Sequence, residues 1–271
     1  MQDSKQEINA RASIDLEQRR NWYSPVADIY YNARAQYPKQ LIERSVVLAQ
    51  LDSDASILEV GCGPGNATVA FAQFGFPMTC LEPNQDFCHL AQHNCATYPN
   101  VAIQNTSFEE WEVKAKQFNA VLSANAFHWI PSEIRYAKAA TALHDNGFLI
   151  LLWNLTPEPK YEVYQAIEEV YQAYVPSLAR YEGAETQAEI LRGFEQDILD
   201  SGYFKELVTE QIVCEVTYSI DNYLKLLSTF RRLEPKAKEL LFTGLREKLR
   251  NFGDSVYLSF LSAVHVARKD G

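Results

Sequence analysis

The residues best suited to chemistry form one short run, Glu59-Val60-Gly61-Cys62-Gly63-Pro64-Gly65, with an acidic residue, Glu82, about 20 positions further on. The run follows an apolar stretch at 56–60 and opens an apolar helical pattern at 66–74. A strand that ends in glycines and starts a helix is a place where backbone N–H groups meet a ligand. The details narrow the ligand. A dinucleotide fingerprint, G-x-G-x-x-G, asks for a third glycine where Asn66 stands. A phosphate loop asks for Lys followed by Ser or Thr, and here Asn66-Ala67-Thr68 follows. Neither pattern is met. Glycine at these positions lets the backbone approach a ligand with no Cβ in the way. Glu82 closes the next apolar stretch, 78–81, where a carboxylate accepts hydrogen bonds from ribose hydroxyls.

Two further groups carry chemistry. Arg34 lies in Tyr30-Tyr31-Asn32-Ala33-Arg34-Ala35-Gln36-Tyr37-Pro38, and a guanidinium there can hold a carboxylate through two hydrogen bonds. His128 lies in Ala126-Phe127-His128-Trp129, just past a predicted fourth strand, where it can take a proton from a hydroxyl or amine, or only shape the pocket. The pair His89 and His93, flanked by Cys88 and Cys95, has helical i, i+4 spacing, but no further ligand stands nearby, so no metal is expected.

The elements that must position these groups alternate. Strands are predicted at 56–60, 78–81, 101–104, 120–123 and 148–153, with helices at 66–74, 86–94 and 132–143 between them. That order predicts a parallel sheet covered on both faces. Before it, 1–45 reads as a helical arm. After it, 156–205 reads as a helical insertion with tyrosines at helical spacing. Residues 206–271 supply two late strands, 207–216 and 257–267, with helices at 221–230 and 235–251 between them. The core is set at 46–155.

The glycine run resembles the first motif of class I S-adenosylmethionine (SAM)-dependent methyltransferases, and Ser107-Phe108-Glu109-Glu110-Trp111 resembles their adenine loop. Asn119 stands where the family has Asp, and only one glycine, Gly147, precedes the fifth strand. The Tyr30–Pro38 segment and Phe127-His128-Trp129 are similar to a type 11-like small-molecule branch related to trans-aconitate methyltransferase, with Ala35 in place of a proline. The resemblance implies a Rossmann-like, mostly parallel sheet of seven strands with SAM as cofactor. It implies cofactor contacts from Tyr30, Arg34, Glu59, Gly61, Cys62, Gly63, Gly65, Glu82, Pro83, Ser107, Phe108, Ala124 and Asn125. Trp22, Tyr37, Trp129, Trp153, Asn154 and Arg231 are the candidates for the methyl acceptor, and His128 for catalysis. The expected reaction is methyl transfer to a small molecule, with a carboxylate or hydroxyl oxygen favoured. A protein or peptide acceptor and a non-catalytic SAM-binding role are the alternatives.

Composition bounds the partners. Of 271 residues, 25 are Lys or Arg and 35 are Asp or Glu, a net charge of −10, which disfavours nucleic acid and anionic membranes. No apolar stretch has signal-peptide or membrane-spanning length. The five cysteines are odd in number and lack CxxC spacing. A reduced cytoplasmic protein, monomer or homodimer, is expected.

Overall fold

A computed structural model describes residues 12–230 and 233–270. Four short strands and one long one build the parallel part of the sheet: β1 (Ile57–Val60), β2 (Met78–Leu81), β3 (Val101–Gln104), β4 (Phe118–Ala124) and β5 (Leu143–Asn154). They lie in the order β3-β2-β1-β4-β5. Three later strands are β6 (Glu158–Pro159), β7 (Phe204–Ser219) and β8 (Ser255–Lys269). β8 runs antiparallel to β5, with Leu151 opposite His265, and β7 runs antiparallel along the outer side of β8. β6 adds two residues beside Leu258 and Ser259. The sheet thus has the seven strands implied by sequence and one two-residue extra, within a stretch read from sequence as helical throughout.

Why the strands sit here follows from their burial. β1 reads Ile-Leu-Glu-Val and is buried at every position, as expected of a parallel strand covered on both faces. Alternate residues enter different layers. Leu58 and Val60 pack with Phe127, Tyr136 and Leu191, while Ile57 packs with Leu41, Phe71 and Phe76. Asn119, the departure from Asp, is structural: its Oδ1 accepts from the backbone N–H of Ser56 at 2.9 Å and its N–H donates to the carbonyl of Ser56. That ties the starts of β1 and β4.

The arm contains α1 (Leu16–Arg20), a short 3-10 turn (Ser24–Val26), α2 (Ala27–Ala33) and α3 (Lys39–Leu48). Asp15 starts α1, accepting from the N–H groups of Glu17 and Gln18. Pro25 sits in the first turn of the 3-10 segment and Pro38 caps α3, so both prolines mark boundaries. The core helices are α4 (Asn66–Ala72), α5 (Gln85–Asn94) and α6 (Ser132–Ala142). Residues 156–205 divide between two cores. α7 (Tyr161–Tyr174) joins α9 (Ile220–Ser228) and α10 (Pro235–Leu249) around Tyr171, Tyr223 and Leu245, whereas α8 (Ala184–Asp200) packs Leu191, Phe194 and Ile198 against the sheet. Buried Gln187 fixes α8: its Nε2 donates to the carbonyls of Thr156 and Glu182, and its Oε1 accepts from Leu261 N–H. Buried Arg135 ties α6 to Asp197 of α8.

Candidate functional site

The glycine run leaves the buried end of β1 and turns sharply. The N–H groups of Gly61 and Cys62 both donate to the carbonyl of Leu81, at 2.9 and 3.1 Å, which locks the loop to β2. Gly61 has φ +69°, and a Cβ there would sit 2.6 Å from the Cβ of Ala126, so the loop and the chain leaving β4 are in close approach. Gly63 has φ +56°, but a Cβ there would meet nothing within 4 Å. It borders open space. This backbone is therefore shaped to pass close beneath a ligand.

Glu82 is 6% exposed. Its Oε2 accepts from Gly63 N–H and its Oε1 from Asn84 N–H, each at 2.8 Å. Burial pushes its carboxyl up to about 7, and the two N–H groups pull the other way. Each oxygen keeps a second lone pair, so a ribose diol can still be received. Glu59 lies elsewhere than its sequence role implied. It is fully buried beneath the loop and does not line the cavity. Thr68 and Cys80 lie beside it, yet neither oxygen has a well-formed hydrogen bond among the described residues, and burial raises its carboxyl to about 7. The physical reason is the strand's period: Glu59 points into the layer of Ile57, under the loop rather than over it.

Above the loop is a cavity of about 1240 Å³, counting its open mouth. Gly61, Cys62, Gly63, Glu82, Pro83, Ser107, Phe108, Ala124, Asn125, Tyr30, Arg34, Tyr37, Trp129 and Asn154 line it. Gly65 does not; with φ +97° it is the first residue before α4, packed 3.5 Å from Cys95 Sγ by its would-be Cβ. Ser107 borders the cavity, but its hydroxyl is committed to a turn: it donates to Glu110 Oε2 and accepts from Glu110 N–H. The Ser-x-x-Glu spacing is that of a capping box, a signal the sequence carried and the family resemblance overshadowed.

The arm closes over this cavity. Arg19 donates to Glu109 Oε1 at 2.7 Å and to the carbonyl of Trp129, and Arg20 pairs with Glu110 at 2.7 Å. Asn84 Nδ2 donates to the carbonyl of Arg20 and to Ser24 Oγ. Leu16, Arg19, Tyr23 and Phe87 line the cavity without having been singled out in sequence. The adjacent basic pair, Arg19-Arg20, facing the adjacent acidic pair, Glu109-Glu110, was the available signal. A second fastening lies at the ends of β4 and β5. Asn125, with φ +50°, accepts on Oδ1 from Tyr37 Oη at 2.9 Å and from Asn154 N–H at 2.7 Å, and donates from Nδ2 to the carbonyl of Asn154. Asn154 Nδ2 in turn donates to the carbonyl of Ala35. A non-glycine residue in left-handed backbone costs about 1–3 kcal/mol, and such residues gather at functional sites.

A second hollow of about 930 Å³, again counting its mouth, adjoins the first. The two share Tyr23, Tyr30, Arg34, Asn125, Asn154 and Leu155. His128 and Trp153 line the second rather than the first, with Phe194, Phe230, Ile190, Arg180 and Glu182. Trp153 stacks on Phe194, with ring centres 3.9 Å apart and planes 5° apart, and His128 lies 5.6 Å from Trp153. Arg34 donates from Nη2 to the carbonyl of Thr229 at 2.8 Å and lies over the rings of Phe230 and Tyr30, at 4.0 and 5.0 Å. Trp22 lines a separate depression near Pro235, and Arg231 lies outside the described residues. Among the described residues no group of three or more His, Cys, Asp or Glu is placed to hold a metal, and no helix is long and apolar enough to cross a membrane.

These features have counterparts. Residues 57–147 match the family model of a methyltransferase domain. The chain is 23% identical over 259 residues to an uncharacterised methyltransferase of Schizosaccharomyces pombe, covering 92% of this chain and 97% of that one. Other curated relatives are matched over 47–68% of their own length. Among solved structures, a methyltransferase from Anaeromyxobacter dehalogenans superposes with a TM-score of 0.61 at 17% identity, over 87% of this chain and 97% of that one. Phosphoethanolamine N-methyltransferase 2 of Haemonchus contortus, in complex with SAM, superposes with a TM-score of 0.51 at 15% identity, over 96% of this chain and 60% of that one. The chain has a mixed α/β, Rossmann-like methyltransferase fold, and its residues 57–147 are similar to a methyltransferase domain.

Proposed function

We propose that the chain transfers a methyl group from SAM to a small-molecule acceptor, with an oxygen acceptor favoured. One observation carries this reading: a glycine-floored cavity with a buried carboxylate shares six lining residues with a second hollow, rich in aromatic rings, at the ends of β4 and β5. In a parallel sheet this is where ligands sit. The residues suit SAM. The open side of Gly63 gives room for close backbone approach, Glu82 has lone pairs for the ribose, and Phe108 offers an apolar face for the adenine. The bound cofactor supplies a methyl group already activated by the positive charge on sulfur.

The chain's own residues then need mainly to align partners, an effect worth up to about 7–11 kcal/mol. Arg34, at the junction of the two hollows, holds a carboxylate of the cofactor or of the acceptor. Tyr37, Asn125 and Asn154 fix the seam between them. Trp129, from the cofactor side, and Trp153, from the acceptor side, exclude water. His128 faces the acceptor hollow, where it takes the proton from a hydroxyl. The Tyr30–Pro38 and Phe127-His128-Trp129 segments favour the small-molecule branch related to trans-aconitate methyltransferase, and a net charge of −10 weighs against nucleic acid.

The test is transfer of labelled methyl from SAM into a cell extract, with products separated by size and solvent. The double variant Gly63→Val, Glu82→Ala is the control. Label in an organic-extractable small molecule, absent with the variant, is the expected result. Label in the protein or RNA fraction would replace the small-molecule reading. SAM binding with no label anywhere would favour a non-catalytic binding role.

A further inference from the structure

The second hollow carries information about what it accepts. Trp153 is 2% exposed, yet its indole Nε1 has no hydrogen-bond partner among the described residues. The Nε of Arg34 is in the same condition. Both residues line this hollow. A buried donor left without an acceptor costs about 1–3 kcal/mol, so a site keeping two such donors is built for a ligand that satisfies them. The charge agrees. Arg34 has no carboxylate within ion-pair distance among the described residues; a carbonyl and two aromatic rings hold it. Arg180 has Glu182 at 3.8 Å. Among the described lining residues, Arg34, Arg180 and Glu182 leave one formal positive charge in excess. Of the hollow's remaining walls, Tyr23, Tyr30, Phe194, Phe230 and the His128 ring are aromatic, and Asn125, Asn154, Leu155, Thr156 and Ile190 complete them. Flat aromatic walls favour a flat aromatic guest beyond the area it buries.

Building on the reading that this hollow receives the methyl acceptor, we propose that the acceptor is a planar aromatic molecule bearing an anionic oxygen, and that Trp153 Nε1 donates a hydrogen bond to that oxygen. The oxygen anchors the molecule, and Arg34 supplies the compensating charge. Trp153 is then a residue that selects the acceptor.

The test uses the full-length protein saturated with S-adenosylhomocysteine. It is titrated calorimetrically with trans-cinnamate and with 3-cyclohexylpropanoate, which are matched in charge and close in size. Cinnamate is expected to bind about tenfold more tightly. Trp153→Phe keeps a six-membered ring against Phe194 and removes the N–H together with the rest of the five-membered ring; it should weaken cinnamate about tenfold and leave S-adenosylhomocysteine affinity unchanged, which also shows that the variant is folded. Equal affinity for the two acids, no saturable binding of either, or an unchanged cinnamate affinity in Trp153→Phe overturns the proposal. Failure of the wild type to bind S-adenosylhomocysteine is a different failure: it removes the cofactor reading, and this inference with it.

Discussion

Replacing Glu82 by Gln should change how the stability of the ligand-free protein depends on pH. Burial lifts the Glu82 carboxyl from 4.5 to about 7. At about 1.36 kcal/mol per unit, ionising it in the folded protein costs about 3 kcal/mol more than in the unfolded chain. The folded state holds the proton more tightly. Its contribution is fully present below pH 4.5 and is lost as pH rises towards 7, with a slope near −1.4 kcal/mol per unit. Glu59, also raised to about 7, acts in the same direction. His265 acts oppositely: burial lowers it to about 4, so between about pH 4 and 6.5 it adds stability as pH rises. Both are present in wild type and variant, and Glu59 feels the Glu82 charge only as the smallest cause of its shift, so the difference between the two proteins is dominated by Glu82. Urea unfolding followed by circular dichroism at pH 5, 6, 7 and 8 reads it. The variant loses one acceptor and should be the less stable at pH 5, because either Gly63 N–H or Asn84 N–H then faces an amide NH₂. Its deficit should shrink by about 2.5 kcal/mol between pH 5 and pH 8. A deficit independent of pH, or one that grows as pH rises, would refute the burial argument.

Three further outcomes are expected. If the ribose is received by ionised Glu82, SAM affinity measured by calorimetry should rise about tenfold from pH 6 to pH 8, as the ionised fraction of a group near 7 grows; a flat profile would separate Glu82 from the cofactor. Gly63→Val should cost about 1–2 kcal/mol in thermal unfolding for its left-handed backbone, and lower SAM affinity more than tenfold by filling the open side. Arg135→Ala should destabilise by about 3–5 kcal/mol, because Asp197 and the buried end of α6 lose their cation; a change under 1 kcal/mol in chemical unfolding would show that the Arg135–Asp197 pair does not hold α8 to α6.

What could be read without coordinates was what is local. The glycine run, Glu82 and the alternating strands announce themselves because each is a short stretch whose spacing carries the meaning. The sheet's later part was harder. β6 is two residues long, and its pairing with Leu258 and Ser259 spans about a hundred positions, so nothing in Glu158-Pro159 marks it. Glu59 was misplaced because a strand buried on both faces gives no sequence clue to which face is which. The second hollow was legible only in Tyr30, Arg34, Asn125, His128, Trp153 and Asn154. Arg180, Phe194 and Phe230 come from separate turns and helices, and only packing brings them together. Ser107 shows the converse: its own neighbours, through Glu110, decide its hydrogen bonds.

Tyr23, Tyr30 and Arg34 belong to one segment of the arm and to both hollows. Occupancy of either hollow therefore restricts the same three side chains. Whichever guest arrives first bears the entropy of fixing them, and the second finds it already spent. Affinities in the two hollows are then linked, and linkage is reciprocal: the factor by which one guest tightens the other must be the same read from either side.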